Sequence, residues 1–142
     1  MEAGLPLYGS DLDETTNPIE ADLRWVLSKT KKSYVGSTAL SSSAAAPQRR
    51  SRRGVILDAG IPRRGFEIMD KAGRSLGSVT SGTFSPLLKK GIAMAYVSPE
   101  SSQFGAEVEV MVREAPAAAR IVKFPFYDDS TYGWKRAPKN SI

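Results

Sequence analysis

Residues 106–114 read AEVEVMVRE. Glu107, Glu109 and Met111 alternate with Val108, Val110 and Val112. A period of two puts one row of side chains in water and the other in a core, which is the pattern of a strand. A helix would scatter the valines around its surface. Similar short, β-favouring runs lie on both sides: GVILDAG (54–60), GFEIMD (65–70), RSLGSVTSG (74–82), GIAMAYV (91–97) and ARIVKFPF (119–126). Turn signals separate them at Ile61-Pro62, Lys71-Ala72-Gly73, Ser98-Pro99-Glu100 and Ala115-Pro116. Six such strands over residues 54–126 predict a small antiparallel barrel or sandwich.

Upstream the pattern changes. Residues 2–8, EAGLPLY, read as a short edge strand because of Pro6. Asn17 and Pro18 then open a predicted helix over 18–28, with Asn17 as N-cap and Pro18 at the first position. Ile19, Leu23, Val26 and Leu27 fall at helical spacing, with Trp25 beside the stripe. A short helical turn is expected at Ser37–Leu40. Residues 41–53, SSSAAAPQRRSRR, have the composition of a linker or surface insertion. The chain is therefore expected to be mainly β with an N-terminal helix, an α+β arrangement. Residues 1–40 precede the linker at 41–53. Residues 54–142 form the barrel and a polar tail, whose last ten residues are expected to fray.

Composition narrows the chemistry. The chain has 142 residues, no Cys and no His. That excludes disulfides, thiolate or histidine catalysis and any Cys- or His-ligated metal. The carboxylates do not fall into a calcium-loop spacing. No apolar run approaches the roughly 18 residues of a membrane span. The acidic first residues, without Arg, do not read as a signal or transit peptide. Charge is uneven: residues 1–28 carry a net −5 and residues 29–142 a net +10. A basic module of this kind suits a phosphate, a polyanionic ligand, nucleic acid or an acidic partner.

Individual motifs are modest. Asp11, Asp13 and Glu14 in DLDE make an oxygen-ligand site or an acid/base pair conceivable, but a solvated turn is the plainer reading. Asp70–Arg74 reads as a hairpin turn, and Phe84-Ser85-Pro86 as a chain reversal. Lys89 and Lys90 suit a phosphate or simply water. The Arg-rich run 49–53 suits nucleic acid by composition alone, since no aromatic residues are interleaved with it. Tyr127, Tyr132 and Trp134 offer stacking surfaces or ordinary packing. No catalytic constellation assembles from these residues.

Four stretches together carry a family resemblance. EAGLPLYGSDLDETTNPIEADLRWVL (2–27), Tyr34-Val35-Gly36, VTSGTFSPLLKKGIAMAYV (79–97) and KFPFYDDSTY (123–132) occur in the order of the glycine cleavage T-protein family, the aminomethyltransferases. The chain resembles the C-terminal part of that family. The resemblance implies a small C-terminal β-barrel preceded by the tail end of a folate-binding domain, with residues 1–40 as that remnant. Leu23, Trp25 and Val26 would then pack against preceding domains. The implied activity transfers a one-carbon unit from the aminomethyl-lipoyl arm of the H protein to tetrahydrofolate and releases ammonia. Tetrahydrofolate and the lipoylated H protein are the implied ligand and partner. A membrane is not implied, and nucleic acid is not expected as a partner. The implied location is mitochondrial. The family's catalytic aspartate has no counterpart here, and a folate-lining tyrosine matches Tyr132, or Thr131 with a shift of one. A fragment of this kind would be inactive alone. Two alternatives stay open: the tetrahydrofolate-binding tail of a dimethylglycine- or sarcosine-dehydrogenase-type protein or related folate-dependent iron–sulfur assembly factor, and a basic RNA-binding β-module.

Overall fold

The computed structural model describes residues 1–31 and 33–128. Six strands lie among them: β1 Ser51–Leu57, β2 Glu67–Met69, β3 Ser75–Ser85, β4 Lys90–Val97, β5 Glu107–Val112 and β6 Ala115–Val122. They close into an antiparallel barrel in the order β1-β4-β3-β2-β5-β6. Closure depends on β1, which pairs with β4 along its whole length and with β6 over Gly54–Leu57. Closing the sheet removes the exposed edges that an open one would present. The mainly β expectation is met, as is the alternation that predicted β5: Val108 and Val110 are buried while Glu107 is exposed.

Val55, Leu57, Ile68, Val79, Val97, Val110 and Ile121 fill the interior, all but inaccessible to solvent. Burying each such side chain is worth about 1.5–3 kcal/mol. Surface ion pairs such as Lys71–Glu107 and Lys90–Asp58 are screened by solvent and add little. The apolar interior therefore decides the barrel's stability. Gly77 marks where the wall is tightest, because an added Cβ would land on the Tyr96 carbonyl oxygen of β4.

The β2–β3 hairpin follows its sequence signal. Asp70 accepts from the backbone N–H of Ala72 and Arg74, and Gly73 turns at φ 79°. Two other turns differ from expectation. β3 runs on through Phe84 to Ser85, so the reversal falls on residues 86–89, with Lys89 at φ 53°. The β5–β6 turn falls on Arg113 and Glu114, at φ 51° and 69°, rather than on Ala115-Pro116. Two positive φ values in a two-residue loop match the strand twist. Pro116 belongs to β6 opposite Met111, in the part of β6 that pairs with β5 alone. There its missing N–H interrupts no ladder to β1.

The N-terminal region departs further from its pattern. Residues 2–8 form no strand; Tyr8 makes one isolated bridge to Leu12. The helix expected over 18–28 is absent. Asn17 does cap the N–H groups of Ile19 and Glu20, both at 2.9 Å. The turn then stops at Asp22, which adopts φ 56°, and only a 3-10 turn at Arg24–Val26 follows. Tertiary bonding is the cause. Ile19, Glu20 and Ala21 are buried consecutively, which one face of a helix cannot do. The Glu20 carbonyl accepts from Arg52 N–H of β1 at 2.8 Å instead of serving a helix. The α-helix lies later: α1, Ser37–Ala45, is longer than the turn expected at Ser37–Leu40 and buries no residue. The segment 41–53, expected as a linker, is divided between α1, a short connection and the start of β1.

Candidate functional site

Residues 1–28 form a strap that crosses the outside of the barrel. Polar anchors hold it. Arg52 is the centre of them. It lies in β1 with 2% of its surface exposed. Its Nε donates to the Ala21 carbonyl at 2.7 Å, and its Nη1 donates to the Gly4 carbonyl at 3.1 Å. The guanidinium also sits 4.5 Å from the centre of the Phe124 ring, a favourable cation–π placement. Burial pulls the Arg52 pKa down, against the raising influence of Tyr96, Asp11 and Asp22. Gly4 lies flat on the same Phe124, where a Cβ would come within 2.6 Å of the ring.

Asp11 is the second anchor. It was expected in a solvated turn, yet it is 2% exposed. Its carboxylate accepts from Leu7 N–H at 2.9 Å and from the Thr80 hydroxyl at 2.5 Å. Its carbonyl accepts from the Tyr96 hydroxyl at 2.9 Å. Burial raises the pKa of Tyr96. Asp13 takes the solvated role instead. It accepts from Thr15 and Thr16, and those bonds hold its carboxyl below the usual range.

Glu2 and Glu20 complete the attachment. Glu2 accepts from the buried Ser85 hydroxyl and from Leu87 N–H, and its carbonyl accepts from Phe126 N–H at 2.9 Å. Glu20 meets Arg49 and Arg50, each at 3.4 Å. Arg50 lies 4.5 Å from the Tyr96 ring centre and donates to Thr16. Arg53 reaches Asp22 at 3.5 Å and the Ser102 carbonyl at 3.0 Å. Most of the Arg-rich run is thus matched with carboxylates, carbonyls and rings of its own chain, while Arg49 stays largely exposed.

Of the acids in DLDE, Asp11 is committed to holding the strap, while Asp13 bonds within its own turn. Among the described residues no group of three or more acidic side chains is placed to hold a metal. No helix among them is long and apolar enough to cross a membrane. Lys90 pairs with Asp58 at 2.8 Å and Lys89 is exposed in its turn. Two open grooves border the strap and β6. One, of about 340 Å³, is lined by Leu5, Leu23, Trp25, Lys123 and Phe124 among others. The other, of about 870 Å³, runs along β6 past Phe104, Arg120 and the half-buried Tyr127. Tyr132, the expected folate-site residue, and Thr131 and Trp134 lie outside the described residues. Sequence reasoning missed Arg52 and Asp11. The one available signal was the resemblance across residues 2–27, which tied the strap to the barrel without saying how.

A closed six-stranded antiparallel barrel with a side-chain-anchored strap defines the class: a small β-barrel domain. Residues 50–128 match the family described as the glycine cleavage T-protein C-terminal barrel domain. The chain belongs to that family. An aminomethyltransferase of Bacteroides fragilis is 42% identical over 128 residues, covering 89% of this chain and 36% of the relative. One from Thermus thermophilus is 43% identical over 124 residues, 87% of this chain and 34% of the relative. A mitochondrial aminomethyltransferase of Mesembryanthemum crystallinum is 39% identical over 138 residues, 93% of this chain and 33% of the relative. The crystal structure of glycine cleavage system aminomethyltransferase T from Bartonella henselae superposes with a TM-score of 0.82 at 33% identity. It covers 89% of this chain and 36% of that one. The chain spans about a third of the length of the relatives it matches.

Proposed function

We propose that this chain is the C-terminal portion of a glycine cleavage aminomethyltransferase, which passes a one-carbon unit from the aminomethyl-lipoyl H protein to tetrahydrofolate and releases ammonia. One observation carries the reading. The likeness to aminomethyltransferases extends through 87–93% of the chain. It therefore takes in the strap as well as the barrel. The net +10 of residues 29–142 suits a polyanionic folate and an acidic H protein. The plant relative supports a mitochondrial location, while bacterial relatives match equally well.

The catalytic groups belong to the part of the relatives that this chain does not span. Rate enhancement needs groups prearranged around the reacting atoms. The described residues supply none, so the 142-residue chain alone is expected to form no methylenetetrahydrofolate. The test joins the preceding part of the Thermus thermophilus relative to Met1 and supplies aminomethylated H protein and tetrahydrofolate. Product from the fusion, and none from the chain alone, is expected. Tyr132→Phe should then weaken turnover by about one hydrogen bond, on the order of 1 kcal/mol, and Tyr132→Ala by more. A folded fusion that makes no product overturns the reading, and a chain that makes product unaided overturns the placement of the catalytic groups outside it.

A further inference from the structure

We infer that the outer wall of the barrel is a binding site for an acidic peptide, which residues 2–22 fill as a covalently joined ligand. The site keeps its occupant when the chain is cut between strap and barrel. Charge is complementary across the contact, with a net −5 on residues 1–28 and a net +10 on residues 29–142. The contact is also specific at several points. The Thr80 hydroxyl donates to the Asp11 carboxylate at 2.5 Å, and the Tyr96 hydroxyl to the Asp11 carbonyl at 2.9 Å. Arg52 donates to three carbonyls, those of Gly4, Glu20 and Ala21. The Ser85 hydroxyl and Leu87 N–H donate to the Glu2 carboxylate. Arg52, Tyr96, Thr80 and Ser85 lie on three adjacent strands, β1, β4 and β3. The barrel wall therefore presents these donors as one preformed row.

The connection between strap and barrel adds little to this contact. None of the described residues from 28 to 46 is buried. Hydrogen bonds among them stay within the segment: Lys31 N–H to Ser28, Tyr34 N–H to Ser37, and Ser41 to the Ser37 carbonyl. α1, in its middle, buries no residue. The strap is the opposite case, with Ile19, Glu20 and Ala21 all buried. A short flexible link raises the effective concentration of a ligand to on the order of 1 mM and makes no new contact. A cut removes that advantage and leaves every anchor in place. The anchors include buried hydrogen bonds from a charged donor, the kind whose loss shows as faster dissociation. A severed strap should therefore leave slowly, and a free peptide of the same sequence should take its place.

The test inserts a site-specific protease recognition sequence between Ser41 and Ser42 of the full chain and cuts it under native conditions. Both pieces should co-elute on size exclusion at about 1 μM and give their summed mass by native mass spectrometry. An isotope-labelled synthetic peptide of residues 1–28, added in excess, should then replace the cut strap. A scrambled peptide of the same composition should not. Asp11→Ala in the peptide should lower replacement by about tenfold or more. In the cut protein, release should speed up by about 30-fold with Arg52→Met and about tenfold with Thr80→Val. Lys71→Ala, in the β2–β3 turn, should leave it unchanged. Thr80→Val keeps the side chain's size and decides the matter where Arg52→Met does not fold. Where the wild-type strap stays bound for days, which supports retention, replacement is read in the cut Thr80→Val protein. Loss of the strap on cutting overturns the inference. A labelled peptide that enters neither protein overturns it, as does equal entry of the scrambled peptide. Release from Thr80→Val no faster than from Lys71→Ala overturns the assignment of the site to these residues. No readout uses activity, so the transferase reading stands or falls separately.

Discussion

In the barrel the backbone satisfies itself. Each strand pairs with two neighbours, and the apolar interior follows from alternation along them. In the strap the backbone has almost no regular partner of its own, apart from a 3-10 turn and one bridge. Side chains do the holding there: Arg52 reaches out from β1, while Asp11 and Glu2 reach in to Thr80 and Ser85. Order can therefore rest on ladders or on anchors, and the two fail differently. A ladder spreads its loss over many bonds. An anchor concentrates it in one residue.

The sharpest way to break the comparison is to strike each region at its tightest point. Gly77→Ala should be the most damaging change. Its Cβ would fall on the Tyr96 carbonyl oxygen of the neighbouring strand, so β3 and β4 must part. A loss of about 4 kcal/mol or more is expected, in the range reserved for severe backbone or core damage. Urea unfolding followed by far-ultraviolet circular dichroism measures it. A near-wild-type midpoint would show that the barrel wall gives where it looks rigid.

Arg52→Met should come next, at about 3 kcal/mol. It removes two hydrogen bonds made by a charged donor, at roughly 1.5 kcal/mol each, and leaves the Gly4 and Ala21 carbonyls short of a partner. Loss should begin in the strap. Hydrogen exchange of residues 4–21 should rise before that of residues 92–97. Simultaneous loosening of both segments would mean that strap and barrel are one cooperative unit. The smallest expected effect has the opposite sign. Arg113 and Glu114 hold positive φ without being Gly or Asn. The pair Arg113→Asn and Glu114→Gly should stabilise the hairpin by about 1 kcal/mol. An unchanged or lower melting temperature would count against the turn geometry.

The same division governs what the sequence disclosed. Alternation in 107–112 and the Asp70–Arg74 turn are local signals, and the structure repeats them. The helix expected over 18–28 rested on local signals too, and its cap at Asn17 did form. What stopped it was Arg52, 31 residues beyond Ala21, taking Glu20's carbonyl through its N–H and Ala21's through its side chain. An arginine within an Arg-rich run looks like a solvated residue, because nothing local says that it faces a ring and two carbonyls. Asp11 is similar, since its partners Thr80 and Tyr96 are distant in the chain. The β5–β6 turn was misplaced because Arg113 and Glu114 lack turn chemistry while the adjacent Pro116 has it. The site proved less legible than the fold: its expected tyrosine lies outside the described residues, and the anchors that do exist are long-range.

The strap's dependence on distant partners also sets an order of events at the ribosome. Synthesis delivers the strap before the barrel, at about 5–20 residues per second. Its anchors come later: Arg52 lies 48 residues beyond Gly4, Thr80 lies 69 beyond Asp11, and Ser85 lies 83 beyond Glu2. The barrel cannot close until β6 has emerged to meet β1, and non-local pairings of this kind are slow to form. Through that interval Leu5, Leu7, Tyr8 and Trp25 belong to a nascent segment with nothing of its own domain to fold against. Until the barrel closes, they stay in a segment without its anchors.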